Sequence, residues 1–209
     1  MRRFGVILIL ALMGCEAAGT PDTRAFLSGA VGQPNEIEPR YIALLKAQAP
    51  ALQIGFPDKA EGGGTLLLED RAGPFEYWLS PEGAQVILQD GVLHGLRGFG
   101  AGLMASDLTE PLANLRALSP GVSDRFQTFL TGDDKTQTRT YRCVFEHAGT
   151  EKVDLQGATV EAVLMIERCR SLDQAFENLY WIEPSLRRIV LSRQWAGPGL
   201  GALSTRVVP

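Results

Sequence analysis

The stretch Phe75-Glu76-Tyr77-Trp78-Leu79-Ser80-Pro81-Glu82-Gly83-Ala84-Gln85-Val86-Ile87-Leu88-Gln89-Asp90-Gly91-Val92-Leu93-His94-Gly95-Leu96-Arg97 reads as three short apolar runs separated by turn residues. Pro81-Glu82-Gly83 and Asp90-Gly91 are the separators, and Asp-Gly between apolar runs is a strong hairpin signal. Upstream, ALQIGF (51–56) and TLLLE (65–69) repeat the pattern, so the segment after Pro50 reads as an antiparallel meander. Further strands are predicted at Thr138–His147, Thr159–Arg168, Ala175–Ile182 and Arg188–Trp195. Within Thr159–Arg168, the residues Val160, Ala162, Leu164 and Ile166 alternate with Glu161, Val163, Met165 and Glu167. In the last strand Ile189, Leu191, Arg193 and Trp195 share one face, because a strand repeats every two residues. Two short helices are expected. One lies within residues 36–48, where Ile37, Tyr41, Leu44, Leu45 and Gln48 are helically spaced, and the other around Glu110–Leu118. Residues 104–135 otherwise read as less regular, with a polar turn at Gly132-Asp133-Asp134. The expected fold is mainly β, an antiparallel barrel-like or strongly curved sheet with one or two short helices, since closure protects strand edges.

Composition agrees with a packed core. Hydrophobic residues make 45% of the chain and charged residues 21%, a balance that excludes disorder as the main state. The net charge of −4 argues against general nucleic-acid binding, which needs a basic surface. Only two histidines are present, which closes most histidine-based metal and triad chemistry.

Residues 1–14 read as a targeting segment. Arg2 and Arg3 precede an apolar run from Phe4 to Leu12, too short for a membrane-spanning helix of about 20 residues. The segment ends Leu12-Met13-Gly14-Cys15, which resembles a bacterial lipobox, with Cys15 as the lipidation site; the alternative is an ordinary signal peptide with a chance cysteine. Acyl chains anchor a protein because each buried methylene contributes about 0.8 kcal/mol. Glu16 follows the cysteine, whereas lipoproteins kept in the inner membrane typically carry Asp there, so an outer-membrane, periplasm-facing address is expected. Loss of residues 1–14 takes two arginines and moves the charge from −4 to −6. Residues 15–35 read as a lipidated tether, with a short helix expected at Thr23–Ala30, and residues 36–209 as a single β-rich domain.

Cys143 and Cys169 then remain, and an isolated pair in an oxidising compartment usually forms a disulfide. Two buried free thiols are the alternative; a zinc site lacks ligands. Tyr77-Trp78-Leu79-Ser80-Pro81 and Tyr180-Trp181-Ile182-Glu183-Pro184 are offset by 103 positions, as are Val86-Ile87-Leu88 and Ile189-Val190-Leu191. This is either an internal hairpin repeat (76–103 and 179–203) or shared hairpin chemistry.

No catalytic constellation is legible. Gly98-Phe99-Gly100-Ala101-Gly102 has the wrong spacing for a dinucleotide loop and reads as a turn. A nucleophile elbow is absent. His94 and His147 lie in separate strands, and Asp107, Glu110 and Asp133-Asp134 read as solvated carboxylates. Aromatic faces are the usable feature: Trp78, Trp181 and Trp195, with Arg193, are candidate glycan or partner contacts. Each Tyr-Trp pair should send one side chain inward and the other outward.

The segment from Tyr180-Trp181-Ile182 to Ser192-Arg193-Gln194-Trp195-Ala196-Gly197-Pro198-Gly199 resembles the C-terminal signature of the YjbF/GfcB family. Asp90-Gly91-Val92, Gly98-Phe99-Gly100, Leu103-Met104 and Ser106-Asp107 are similar to that family's middle block. Family members often carry an acidic residue where this chain has Gly102. The resemblance spans nearly the whole chain beyond Cys15. It implies a barrel-like fold, an outer membrane address and a role in capsule or exopolysaccharide secretion, with no catalytic residues, cofactor or metal. Expected partners are the membrane through the lipid anchor, exopolysaccharide export proteins or the polysaccharide itself, and no nucleic acid. A polysaccharide-modifying hydrolase or lyase is the rival reading, and a carrier of lipid or lipid-linked glycan a third.

Overall fold

Asp90 and Gly91 take φ values of 49° and 81°, both positive, as a two-residue hairpin turn requires. A Cβ on Gly91 would also stand 2.9 Å from the Ile189 Cβ, so glycine is demanded twice over. The turn joins β4 (Gln85–Gln89) to β5 (Val92–Arg97). Ahead of it, β3 (Phe75–Leu79) meets β4 through the Pro81 turn, where Ser80 N–H donates to the Ala84 carbonyl at 2.8 Å. Upstream lie α1 (Pro39–Lys46), β1 (Ala51–Gly55) and β2 (Gly63–Ala72). The structure, a computed structural model, describes residues 37–59, 62–100, 102–131 and 135–209. Cys15 and its lipobox, the tether with its Thr23–Ala30 helix, and the Asp133-Asp134 turn lie outside the described residues.

The second half of the chain continues the same up-and-down pattern. It runs through β6 (Leu103–Asp107), α2 (Thr109–Ala117), β7 (Gly121–Leu130), β8 (Thr136–Asp154), β9 (Thr159–Arg170), β10 (Ala175–Glu183), β11 (Arg188–Trp195) and β12 (Ala202–Val207). The twelve strands form one antiparallel sheet in the order β5-β4-β3-β2-β1-β12-β11-β10-β9-β8-β7-β6. Pairing of β1 with β12, Leu52 opposite Val207, brings the first and last strands together. The sheet is a nearly closed barrel, as expected for a chain that must protect its edges. Its seam falls in mid-chain, between β5 and β6. These strands approach without a ladder, and a Cβ on Gly95 would lie 2.5 Å from the Met104 carbonyl oxygen. Gly98 and Gly100, which follow β5 on the way to β6, take positive φ values of 77° and 78°, as a turn requires.

Residues 104–135, expected to be irregular, instead contribute β6 and β7. The reason is an inverted alternation. Along β7 the buried residues are Ser123, Arg125, Gln127 and Phe129, while Val122 and Phe126 are exposed. Strand β12 was likewise not anticipated. Both helices form where helical spacing placed them, with α2 contributing Leu112 and Leu115 to the core.

Two large apolar clusters make up most of the interior packing. Leu66, Trp78, Val86, Leu93, Leu103 and Leu203 form one; Tyr141, Phe145, Met165, Tyr180 and Ile189, joined by Leu112 and Leu115, form the other. The two Tyr-Trp hairpins face opposite ways. Trp78 is the buried member of its pair and Tyr180 of the other. Trp78 pairs with Val86, whereas Trp181 pairs with Leu191 beside a β-bulge, so the 103-residue correspondence does not extend to register.

At the seam, the His94 ring packs at a tilt against Phe75 with centroids 4.7 Å apart, and its Nδ1 is buried without a partner among the described residues. Burial pushes the imidazole below its usual value of 6.5, opposed by the Ser106 backbone and the Asp107 carboxylate on β6. The unfolded chain therefore takes up this proton more readily than the native one. The stability tied to neutral His94 is present above pH 6.5 and is lost as pH falls through that value toward the lower folded one. Thermal unfolding between pH 7.5 and 5.5 should show a falling Tm, and His94→Phe, which keeps the ring contact, should flatten that slope. An identical slope in the variant would count against the assignment.

Candidate functional site

The up-and-down topology sends the β2–β3, β4–β5 and β10–β11 turns to one end of the barrel, together with the start of β1, the end of β12 and α2. Between them opens a cavity of about 720 Å³. Its walls are largely apolar: Leu52, Trp78, Leu88, Leu112, Ile182 and Ile189 line it. Its rim carries four arginines, Arg71, Arg116, Arg187 and Arg188, against two carboxylates, Glu76 and Asp90. Three of the arginines are paired. Arg71 bonds Glu76 at 3.2 Å, Arg116 bonds Asp90, and Arg188 reaches Glu183 at 3.5 Å. The Arg187 side chain, on an exposed turn with φ 50°, has no hydrogen-bond or ion-pair partner among the described residues.

Deeper in the barrel sits a buried ionic network. Glu167 Oε2 accepts from Arg125 Nη1 at 2.5 Å, Asn178 Nδ2 at 2.7 Å and the Tyr180 hydroxyl at 2.8 Å. Arg125 Nη1 lies 3.3 Å from the Tyr180 hydroxyl, and Arg125 Nε donates to Ser106 Oγ at 3.4 Å. Both members of the ion pair are fully enclosed. Burial works against the guanidinium charge, but Glu167 and Tyr180 outweigh it and hold Arg125 protonated. Burial, reinforced by the Glu167 charge, pushes the Tyr180 hydroxyl far above its ordinary value. Cys143 and Cys169, paired across β8 and β9, form a disulfide beside Glu167. Bonded sulfurs are not thiolates, so this trio has no donor set for a metal ion.

The structure does not gather the four sequence-nominated contact residues. Trp78 lines the cavity wall, its Nε1 donating to Glu76 Oε2 at 3.2 Å. Trp181 packs in a separate cluster with Val153 and Val190 and donates to Glu151 at 2.7 Å. Trp195 stacks on Phe176 with centroids 5.7 Å apart. Arg193 donates to Asp58 Oδ1 at 2.9 Å, and Asp58 also accepts the Ala202 N–H; these bonds, the backbone one foremost, hold its carboxyl below the usual range.

The Ser-Arg-Gln-Trp tail thus works as a clasp. Ser192 bonds Thr205 on β12, and Arg193 ties down the loop after β1. Gln194 crosses the barrel to accept from Leu93 N–H at 2.7 Å and donate to the Gly91 carbonyl at 3.0 Å. Trp195 N–H donates to Asn178 Oδ1 at 2.7 Å. Of the carboxylates raised for sugar chemistry, Asp107 accepts Thr109 N–H at the start of α2, which holds it below the usual range, and Glu110 accepts Asp124 N–H. Sequence reading missed Arg125–Glu167 and the arginine rim. The signal for the first was a lone arginine at a strand's alternate positions; the rim had none, since its arginines are dispersed along the chain.

The fold and site define a class: a nearly closed, twelve-stranded antiparallel barrel with an ionic core at one level and an apolar, arginine-rimmed cavity at one end. By family, the chain belongs to YjbF, described as group 4 capsule polysaccharide lipoprotein GfcB, whose model matches residues 27–208. Its fold is similar to the crystal structure of the hypothetical lipoprotein YmcC from Escherichia coli K12. That likeness has a TM-score of 0.69 at 16% identity and covers 92% of this chain and 97% of the other. No curated protein matches the sequence.

Proposed function

We propose that this chain is a non-enzymatic, outer-membrane lipoprotein that faces the periplasm and assists assembly or secretion of a capsule or exopolysaccharide. It acts by binding a partner in the export machinery or the glycan. The family match over residues 27–208 is the observation that carries this reading. The lipobox at Cys15 supplies the anchor in it. A hydrolase reading needs two free carboxylates flanking a sugar site. Glu76 and Asp90, the carboxylates at the cavity, are each neutralised by an arginine, which favours binding over catalysis. Deleting the gene in its own host should lower surface polysaccharide while intracellular precursor stays unchanged or accumulates. Normal surface polysaccharide in the deletion strain would overturn the proposal.

A further inference from the structure

We propose that the cavity at the β2–β3/β10–β11 end of the barrel binds a single acyl chain bearing an anionic head group. The inference deepens the function above by naming the ligand class of a site which that reading leaves open.

Chemistry of the lining selects the class. A sugar site needs several polar groups converging on hydroxyls, whereas Leu52, Leu88, Leu112, Ile182, Ile189 and Val207 present aliphatic carbon. About 720 Å³ lies within the range of small-ligand pockets, so an apolar chain fits by size as well as by surface. Charge selects the head group. With Arg71, Arg116 and Arg188 paired to Glu76, Asp90 and Glu183, the rim keeps one unbalanced positive charge, in a chain whose net charge is −4. Arg187 stands among the rim residues without a carboxylate of its own, beside the exposed Leu186, which also lines the opening. A carboxylate or phosphate at that point would gain charge-assisted hydrogen bonds while its hydrocarbon enters the barrel. Trp78, buried in the wall, is an internal reporter of occupancy.

The test uses the full chain carrying Cys15→Ser, so that no covalent lipid competes, in detergent-free buffer. The probe is 9,10-dibromostearate at submicellar concentration, whose bromines quench tryptophan at contact range; its uncharged methyl ester serves as comparison. Saturable quenching is expected, and Trp78→Phe should remove most of it while Trp181 and Trp195 remain. Arg187→Asn suits the positive φ of that position, and should weaken binding of the acid about tenfold, the scale of one charge-assisted hydrogen bond, leaving the methyl ester unchanged. Three results would each overturn the proposal: no saturable quenching, quenching that persists in Trp78→Phe, or equal loss of acid and ester binding in Arg187→Asn. Should Trp78→Phe fail to fold, the exposed Arg187→Asn still decides. Failure here with lowered capsule in the deletion strain removes the ligand alone. Binding with normal capsule removes the export role alone.

Discussion

Arg125→Met is expected to lower the unfolding free energy by about 3–5 kcal/mol, because it strands a fully buried Glu167 carboxylate. The ionised group would keep only Asn178 and Tyr180 as donors, and neither carries the compensating charge. Glu167→Leu should cost a similar amount by stranding the guanidinium, whose remaining neutral neighbours are Ser106 and Tyr180. The double variant Arg125→Met/Glu167→Leu should recover much of the loss, since replacing a buried pair by apolar side chains is often neutral. Urea unfolding followed by tryptophan fluorescence measures all three. Single variants within 1 kcal/mol of the parent would show that the pair is not a buried, mutually dependent unit.

The Cys143→Ala/Cys169→Ala double variant comes second, with an expected loss of roughly 3–4 kcal/mol from restored freedom of the unfolded chain. The bond links residues 26 positions apart and staples β8 to β9 at directly paired positions. It also borders Glu167. The two sets of substitutions should therefore be non-additive, as expected for contacting groups. Midpoints of chemical unfolding with unchanged m-values would give the difference directly. A loss below 1 kcal/mol would mean that the sheet ladder alone constrains this region.

Both predictions concern groups that were legible to different degrees. The disulfide followed from counting cysteines. The ion pair did not, although Arg125 sits in a plain alternating run, Ser123-Asp124-Arg125-Phe126-Gln127-Thr128-Phe129. Alternation reports that a strand has two faces, and hydrophobicity normally tells which is inside. Here Val122 and Phe126 face out and Ser123, Arg125 and Gln127 face in, so the usual assignment fails and the segment looks irregular. Only Glu167, Asn178 and Tyr180 arriving from β9 and β10 make the inward arginine tolerable.

The tail motif shows the same division. Ser-Arg-Gln-Trp identified the family-like segment, and Arg193 and Trp195 suggested glycan contacts. In the structure each of its four residues also bonds another part of the chain, Trp195 through its backbone N–H and Gln194 by reaching across the interior to β5. A motif announces that its residues matter together, but not whether they serve a ligand or the frame.

Turn chemistry, strand periodicity and two helical patterns were sufficient in the sequence to establish the meander. They act between neighbours, where Asp90-Gly91 or Pro81-Glu82-Gly83 bends the chain regardless of what lies farther away. The β1–β12 closure, the ionic core and the arginine-rimmed cavity came from contacts between distant segments. Leu52 and Val207, or Arg71 and Arg187, share a neighbourhood only after the sheet has curled, because long-range pairing depends on where every intervening strand has already gone.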